Sequence, residues 1–404
     1  MRAIVITFIG LFIAVLVVAQ PTRNLVGYYN LNDLNVSDLS EANNPPAIVN
    51  GNPETACGIS GQSMVFDGID DDVQFEGDFF GHFDGDFTIS FFMLPDQTGT
   101  QQEIMSFVDT CSNDSLFNII YRAASNQVIA NLSGSTNIDI SLFGNLDPNT
   151  CWQHIILTRD DGTVELFVNG ISEFTLTTPN RIPFQTDGVF RLSNSPCVEN
   201  GTFQRYEGRL DELRIYNRLV EVTEFSSLGF NNDQILTPDT TVLDGASVNI
   251  RTSNTCASSF SWFPTTGVDM SSDRNPIITA TQTQDYVINF EYPSCTTRDT
   301  INIRTVDPTL VNCKEILVPT AFTPNGDGLN DVFGLSNPFV VEEFVSFEIM
   351  DRWGATLFRG MSINDFWDGN IGGESALPGV YVYDIRWRCE NEEQRKLGSF
   401  SLLR

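Results

Sequence analysis

Lysine is almost absent from this 404-residue sequence, occurring only as Lys314 and Lys396. With 52 acidic residues against 22 basic ones, the formal net charge is −30. Such a surface repels polyanions, which excludes nucleic acid as a partner and disfavours anionic membranes; it suits calcium-rich or salty surroundings and serves plain solubility equally well. Histidine is as scarce, at His82 and His154, and none of the eight cysteines stands in a CxxC pair. A zinc site or a thioredoxin-like redox motif therefore lacks its usual ligands. Beyond residue 19 no second apolar run reaches the length of a membrane span. A sustained period near 3.6 is also missing up to about residue 228, which removes amphipathic helices as the basis of the fold.

What is present begins with "MRAIVITFIGLFIAVLVVAQ", one basic residue followed by an apolar run over residues 3–19. Val17 and Ala19 sit where a signal peptidase requires small side chains, so residues 1–19 are expected to be a cleaved export signal, with a retained anchor as the alternative. In an exported chain Cys57, Cys111, Cys151, Cys197, Cys256, Cys295, Cys313 and Cys389 read as disulfide formers.

Short apolar runs broken by Gly, Asn and Asp predict an all-β protein. "DFTISFFML" (86–94), "HIILTR" (154–159), "TVELFVNG" (163–170) and "GRLDELRIYN" (208–217) read as strands, with Asp161-Gly162 and Asn169-Gly170 as tight turns. Over residues 24–230 these imply a two-sheet sandwich or jelly roll. Residues 233–308 hold four further strand-like runs around Trp262 and suggest a small immunoglobulin-like spacer; "TVLDGASVNI" (241–250) is one of them. A third unit spans 313–404. In "VYVYDIRWRC", Tyr381, Tyr383, Ile385, Trp387 and Cys389 fall on one face and Asp384, Arg386 and Arg388 on the other. Cys313 is the expected partner of Cys389, closing a 76-residue loop worth about 3–5 kcal/mol on a chain-entropy estimate.

Several longer motifs carry resemblances. "VPTAFTPNGDGLNDVF" (318–333), "FEIMDRWGATLF" (347–358), "FWDGN" (366–370), "LPGVYVYDI" (377–385) and the final "GSFSLLR" resemble the gliding-motility-associated C-terminal domain, the type B sorting signal of the type IX secretion system of Bacteroidota. That resemblance implies passage through the outer membrane and an extracellular or surface location, with the secretion machinery as a partner. "NLVGYYNLND" (24–33), "SMVFDGIDDDVQF" (63–75), "WQHIILTRDDGTVELFVNG" (152–170) and "YEGRLDELRIYNR" (206–218) resemble the laminin-G-like, concanavalin-A-like jelly roll. Such sandwiches host lectins, adhesion modules and glycosidases alike, so fold membership does not name a ligand.

Catalysis is not expected. A glycosidase needs two carboxylates flanking the scissile bond, and the Glu-x-Asp-x-Glu arrangement of jelly-roll glycosidases is missing. Glu207, Asp211 and Glu212 lie close in sequence, but strand alternation sends Asp211 and Glu212 to opposite faces. His154 reads as a packed, hydrogen-bonded sheet residue. Calcium is the better chemical candidate: Asp67, Asp70, Asp71 and Asp72 crowd a glycine-containing turn without a basic neighbour, and the jelly-roll resemblance implies that Asp211 lies near a sheet-edge metal. The bland alternative is a solvated acidic turn. Asn325, Asp327 and Asp331 follow part of an EF-type loop, but Thr323 and Gly334 occupy its first and last ligand positions. An Asx-rich turn is the competing reading. Phe79 and Phe80, among Gly and Asp, are candidates for stacking on a sugar, against a role in closing the core. Together these features predict a secreted or surface-held, non-catalytic adhesion protein for a glycan or protein ligand. The alternatives are a self-associating filament or surface-layer subunit, or a divergent carbohydrate-active hydrolase.

Overall fold

The computed structural model describes residues 21–76, 83, 85–112, 116–134, 138–178, 188–230, 232–325 and 330–403. The expected export signal lies outside them. The chain divides into two compact units, one made of Met1–Gln234, Ser253–Phe260 and Asn289–Asp299, the other of Ile235–Thr252, Ser261–Ile288 and Thr300–Arg404.

The first unit is built on two antiparallel-rich sheets. One has the order Ile171–Thr177, Thr163–Val168, Gln153–Asp160, Phe87–Pro95, Glu207–Tyr216, Gln62–Asp67, Glu54–Cys57, with Leu25–Tyr29 also paired to Glu207–Tyr216. The other runs Ile138–Asn145, Gln127–Gly134, Leu116–Arg122, Gln101–Val108, Val189–Leu192, Asp72–Phe75, Ile48–Asn50. Consecutive side chains of a strand point to opposite faces, so each central strand contributes alternate residues to the inter-sheet core. Phe87, Ile89 and Phe91 enter it from one sheet, and Met105, Phe107 and Phe117 from the other. The first sheet is covered on its outer face too, where Ile156, Phe167 and Tyr216 pack under Val220, Phe225 and Leu228. A strand buried on both sides explains why "FFML" (91–94) reads as an unbroken apolar run.

Both hairpin turns form, with one difference from expectation. At Asn169-Gly170 both residues are left-handed, at φ 51° and 79°. At Asp161-Gly162 the left-handed residue is Asp161, φ 51°. Gly162 is required there for space, since a Cβ would lie 2.3 Å from the Thr178 carbonyl oxygen. Three disulfides close this unit: Cys57–Cys256, Cys111–Cys197 and Cys151–Cys295.

Most of the remaining strands belong to the second unit. Thr240–Leu243, Thr296–Val306, Gln284–Glu291 and Ser259–Phe263 form a four-stranded sheet in that order, and Ser247–Asn249 pairs with Ile277–Thr279. The expected single strand over 241–250 is thus two, divided at Asp244-Gly245, where Gly245 takes φ 83°. Toward the C-terminus, Ala321–Phe322, Glu392–Leu402, Gly379–Cys389, Glu343–Met350 and Thr356–Gly360 make a five-stranded sheet in that order. Tyr381, Tyr383, Ile385, Trp387 and Cys389 are all buried on one face of Gly379–Cys389, and Cys389 is bonded to Cys313. Asp384, on the other face, is also buried, under ion pairs from Arg395 at 2.9 Å and Arg386 at 3.5 Å.

Candidate functional site

The acidic turn forms where Gln62–Asp67 runs into Asp72–Phe75. Asp67, Asp70 and Asp71 bring carboxylate oxygens within 4.8 Å of one another, an arrangement that could hold a metal ion. The same groups have local work. Asp67 Oδ1 accepts the backbone N–H of Ile69 at 2.8 Å and of Asp70 at 3.3 Å. Asp71 is buried; its Oδ1 accepts from Asn52 N–H at 2.9 Å and its Oδ2 from Asp67 N–H at 3.0 Å. Burial pushes the Asp71 carboxyl up, helped by the charges of Asp67 and Asp70, against the pull of its two N–H donors. For Asp67 burial pushes the same way, but the N–H groups of Ile69, Asp70 and Asp71 outweigh it and hold the carboxyl low. Asp72 leaves the cluster and is neutralised from far along the chain, accepting from Asn50 at 2.7 Å, Asn194 at 3.0 Å and Arg205 at 3.1 Å.

Asp211 is engaged elsewhere. Glu207 pairs with Asp67 across the strands, and four residues further on a bulge interrupts the pairing between Asp211 and Arg214. Glu212 sits in that bulge with φ 54°. Simple alternation fails here, because a bulge inserts a residue and re-aims the side chains around it. Both carboxylates end up buried. Glu212 is paired with Arg214 and accepts from Tyr28 Oη at 2.9 Å. Asp211 Oδ2 accepts the Ser60 N–H at 3.2 Å, while Oδ1 is buried with no hydrogen-bond partner. Burial, reinforced by the neighbouring Glu212 charge, pushes Asp211 up to about 8. An acid raised in this way binds its proton more tightly in the folded chain. Its contribution is therefore greatest below the unfolded value near 4 and declines as pH climbs toward 8, by at most about 1.4 kcal/mol per pH unit. Asp211→Asn removes the titration, so urea unfolding at pH 5 and pH 8 should show the parent losing stability relative to the variant. Parallel profiles would refute this assignment.

His154 is a packed sheet residue. Its ring is buried, stacks on Phe92 at 4.2 Å and 8°, and places Nε2 2.8 Å from Ser90 Oγ. Burial, with Arg214 nearby, pushes its pKa down to about 3, so the imidazole is neutral throughout the physiological range. Ser90 is itself buried in a strand. Among the described residues no catalytic arrangement is evident. Sequence reading also passed over Glu103, which lies in the second sheet's "QQEIMSFV", is fully buried, accepts from Asn118 at 2.9 Å and is pushed up chiefly by burial. A lone charge at the head of "IMSFV" (104–108), in a strand-forming stretch, was the available signal. In the terminal loop Asp331 Oδ1 accepts the Asn325 N–H at 2.9 Å, a bond that closes the loop across six positions and is not the two-residue bond of an Asx turn. Asp327, Phe79 and Phe80 lie outside the described residues.

Comparison with known proteins agrees with this architecture. Residues 67–225 match the Concanavalin A-like lectin/glucanases superfamily, and residues 316–402 match the CHU_C Type IX secretion signal domain. No curated protein sequence matches the chain. Among solved structures, domain 4 of AbnA, an extracellular arabinanase from Geobacillus stearothermophilus, is 16% identical with a TM-score of 0.42, covering 51% of this chain and 98% of that one. Trypanosoma rangeli sialidase is 15% identical with a TM-score of 0.39, covering 52% of this chain and 33% of that one. The binding domain of Paraclostridial Mosquitocidal Protein 1 is 14% identical with a TM-score of 0.43, covering 94% and 87%. These TM-scores are too low to support any argument about ligand or activity.

Proposed function

We propose that this chain, in which a concanavalin A-like jelly roll is joined to a C-terminal type IX secretion signal domain, works at the cell surface or beyond it as a non-catalytic adhesion protein whose jelly roll contacts a glycan or protein. The observation that carries this reading is the join itself: an export module at one end and a closed two-sheet sandwich ahead of it. The sandwich offers buried carboxylates held in structural hydrogen bonds instead of a convergent acid and base. Calcium is the cation that Asp67, Asp70 and Asp71 suit best, because all their donors are hard carboxylate oxygens gathered on one turn. Several of those oxygens already accept N–H bonds, which points to a weak site of the extracellular kind.

Two measurements test this. Surface protease shaving of cells making the full chain, or the chain without residues 316–402, should find only the full chain outside, and only in cells with a working type IX machinery. Retention of the full chain in the periplasm would overturn the export reading. Calorimetric titration should then give calcium binding at about millimolar concentration that Asp67→Asn or Asp70→Asn abolishes. No heat from folded, metal-stripped protein would retire the calcium assignment while leaving adhesion to be decided on glycan and protein arrays.

A further inference from the structure

The disulfides join residues far apart in the chain, and three of them together redirect the route by which a pull travels along it. Cys57–Cys256 holds its two Cα atoms 5.6 Å apart across 199 positions, and Cys313–Cys389 holds its own 5.5 Å apart across 76. A pull along the chain therefore crosses each bond directly and leaves the intervening backbone as a closed side loop. The first loop contains every strand of the two large sheets except Leu25–Tyr29, Ile48–Asn50 and Glu54–Cys57. Cys151–Cys295 adds a second tie. Cys57 ends the strand Glu54–Cys57 and Cys151 lies just ahead of Gln153–Asp160, both strands of the first sheet. Backbone leaving the sandwich after Leu228 is thus returned to it covalently at Cys256 and again at Cys295. While the sandwich is folded, nothing between Leu228 and Cys295 can be drawn out, and the first backbone free to lengthen toward the terminal module begins at Thr296.

We infer that these bonds form a tension path that bypasses the jelly roll, so that load carried along the chain cannot draw out the domain that holds the ligand. The inference rests on the adhesion reading for its purpose, since a chain held at one end only carries no tension. A sandwich has no covalent barrier of its own against pulling. Its strands are joined by hydrogen bonds contributing about 1 kcal/mol each, and forced opening proceeds at the unfolding rate. The side loop closes that route, because its two ends stay bonded whatever the strands between them do. Between residues 21 and 404 the shortest covalent route takes about 36 residues to Cys57, about 57 from Cys256 to Cys313 and about 15 after Cys389. That is about 108 residues, against about 383 along the backbone. At about 3.5 Å per fully extended residue, the chain reaches about 380 Å with its disulfides intact and about 1,340 Å without them. Cys111–Cys197 lies inside the first loop and does not shorten the route.

The test is single-molecule force spectroscopy on the chain from residue 21 to residue 404, with DNA handles on peptide tags at its two ends. Under oxidising conditions it should lengthen to no more than about 380 Å, and the same molecules exchanged into reductant should reach about three and a half times as far. Cys57→Ala together with Cys256→Ala moves the crossing to Cys151–Cys295 and should add about 190 Å. Reduction of the folded parent in the instrument keeps the comparison valid where the double variant fails to fold. An oxidised parent that lengthens well past about 380 Å would put the sandwich in the load path and overturn the inference. A folded double variant that lengthens no further than the parent would overturn it as well. No ligand is present in these pulls, so their outcome is separate from adhesion, which binding to glycan and protein arrays decides.

Discussion

Replacing Cys57 and Cys256 together by alanine lowers the unfolding free energy of the first unit by about 3–5 kcal/mol, and the Cys151 and Cys295 pair has an effect of the same size. These two bonds close sequence separations of 199 and 144 residues. Loop-closure entropy grows with separation, so they restrict the unfolded chain more than Cys111–Cys197, which spans 86. They also tie Ser253–Phe260 and Asn289–Asp299 covalently into this unit. Their remaining attachments include Asp233 N–H to Asn254 carbonyl at 3.0 Å, Gln234 N–H to Ser253 Oγ at 2.9 Å, and Cys151 N–H to Thr297 Oγ1 at 2.9 Å. Hydrogen bonds of this kind contribute about 1 kcal/mol each, too little to replace a covalent tie. Cysteines are exchanged in pairs so that no free thiol confuses the result. Urea unfolding of each double variant under oxidising conditions checks the magnitude, and limited proteolysis should find new cleavage within 253–260 or 289–299. A double variant within about 1 kcal/mol of the parent would show that packing, and not chain entropy, holds those segments.

That prediction depends on pairings the sequence could not supply. The strands themselves were legible, because alternation and turn residues are local properties: Phe87, Ile89 and Phe91 announce a buried face, and Asn169-Gly170 announces a turn. Cys256 and Cys295 were not. Each lies in the second half of the chain, and its partner is set by where distant strands come to rest. Cys313–Cys389 was recoverable only because period two placed Cys389 on the same buried face as four aromatic or aliphatic neighbours. The candidate sites divide along the same line. Asp67, Asp70 and Asp71 meet because they share one turn, so their grouping could be read directly. Arg205, which neutralises Asp72, is 133 positions away. The bulge that buries Asp211 and Glu212 breaks the alternation on which their placement was judged.

Trp367→Ala should cost the terminal module about 3–5 kcal/mol, the usual range for deleting a fully buried aromatic ring, and should abolish export of the whole chain. The reason lies in what the terminal motifs do. Each contributes one ring or more to a single cluster: Phe322 and Phe333 from the first motif, Phe347 from the second, Trp367 from "FWDGN", Tyr381 and Tyr383 from "LPGVYVYDI" and Phe400 from "GSFSLLR". Phe333 and Phe400 stack at 3.5 Å, Phe322 lies 5.6 Å from Trp367, and Trp367 lies 5.2 Å from Tyr381. Trp367 is 1% exposed and donates its indole N–H to the Asn370 carbonyl at 2.8 Å, so alanine loses a ring and strands an acceptor. The motifs are therefore largely a core, and a machinery that recognises the folded module would meet only the surface this core supports. Trp353 provides the contrast, since in "DRWG" its side chain is 80% exposed. Trp353→Ala should leave the unfolding free energy within about 0.5 kcal/mol of the parent. If it nonetheless blocks export, that ring is part of the surface being recognised. If Trp367→Ala is exported normally despite a measured loss of stability, passage does not require the folded module, and the terminal motifs must be read as extended sequence.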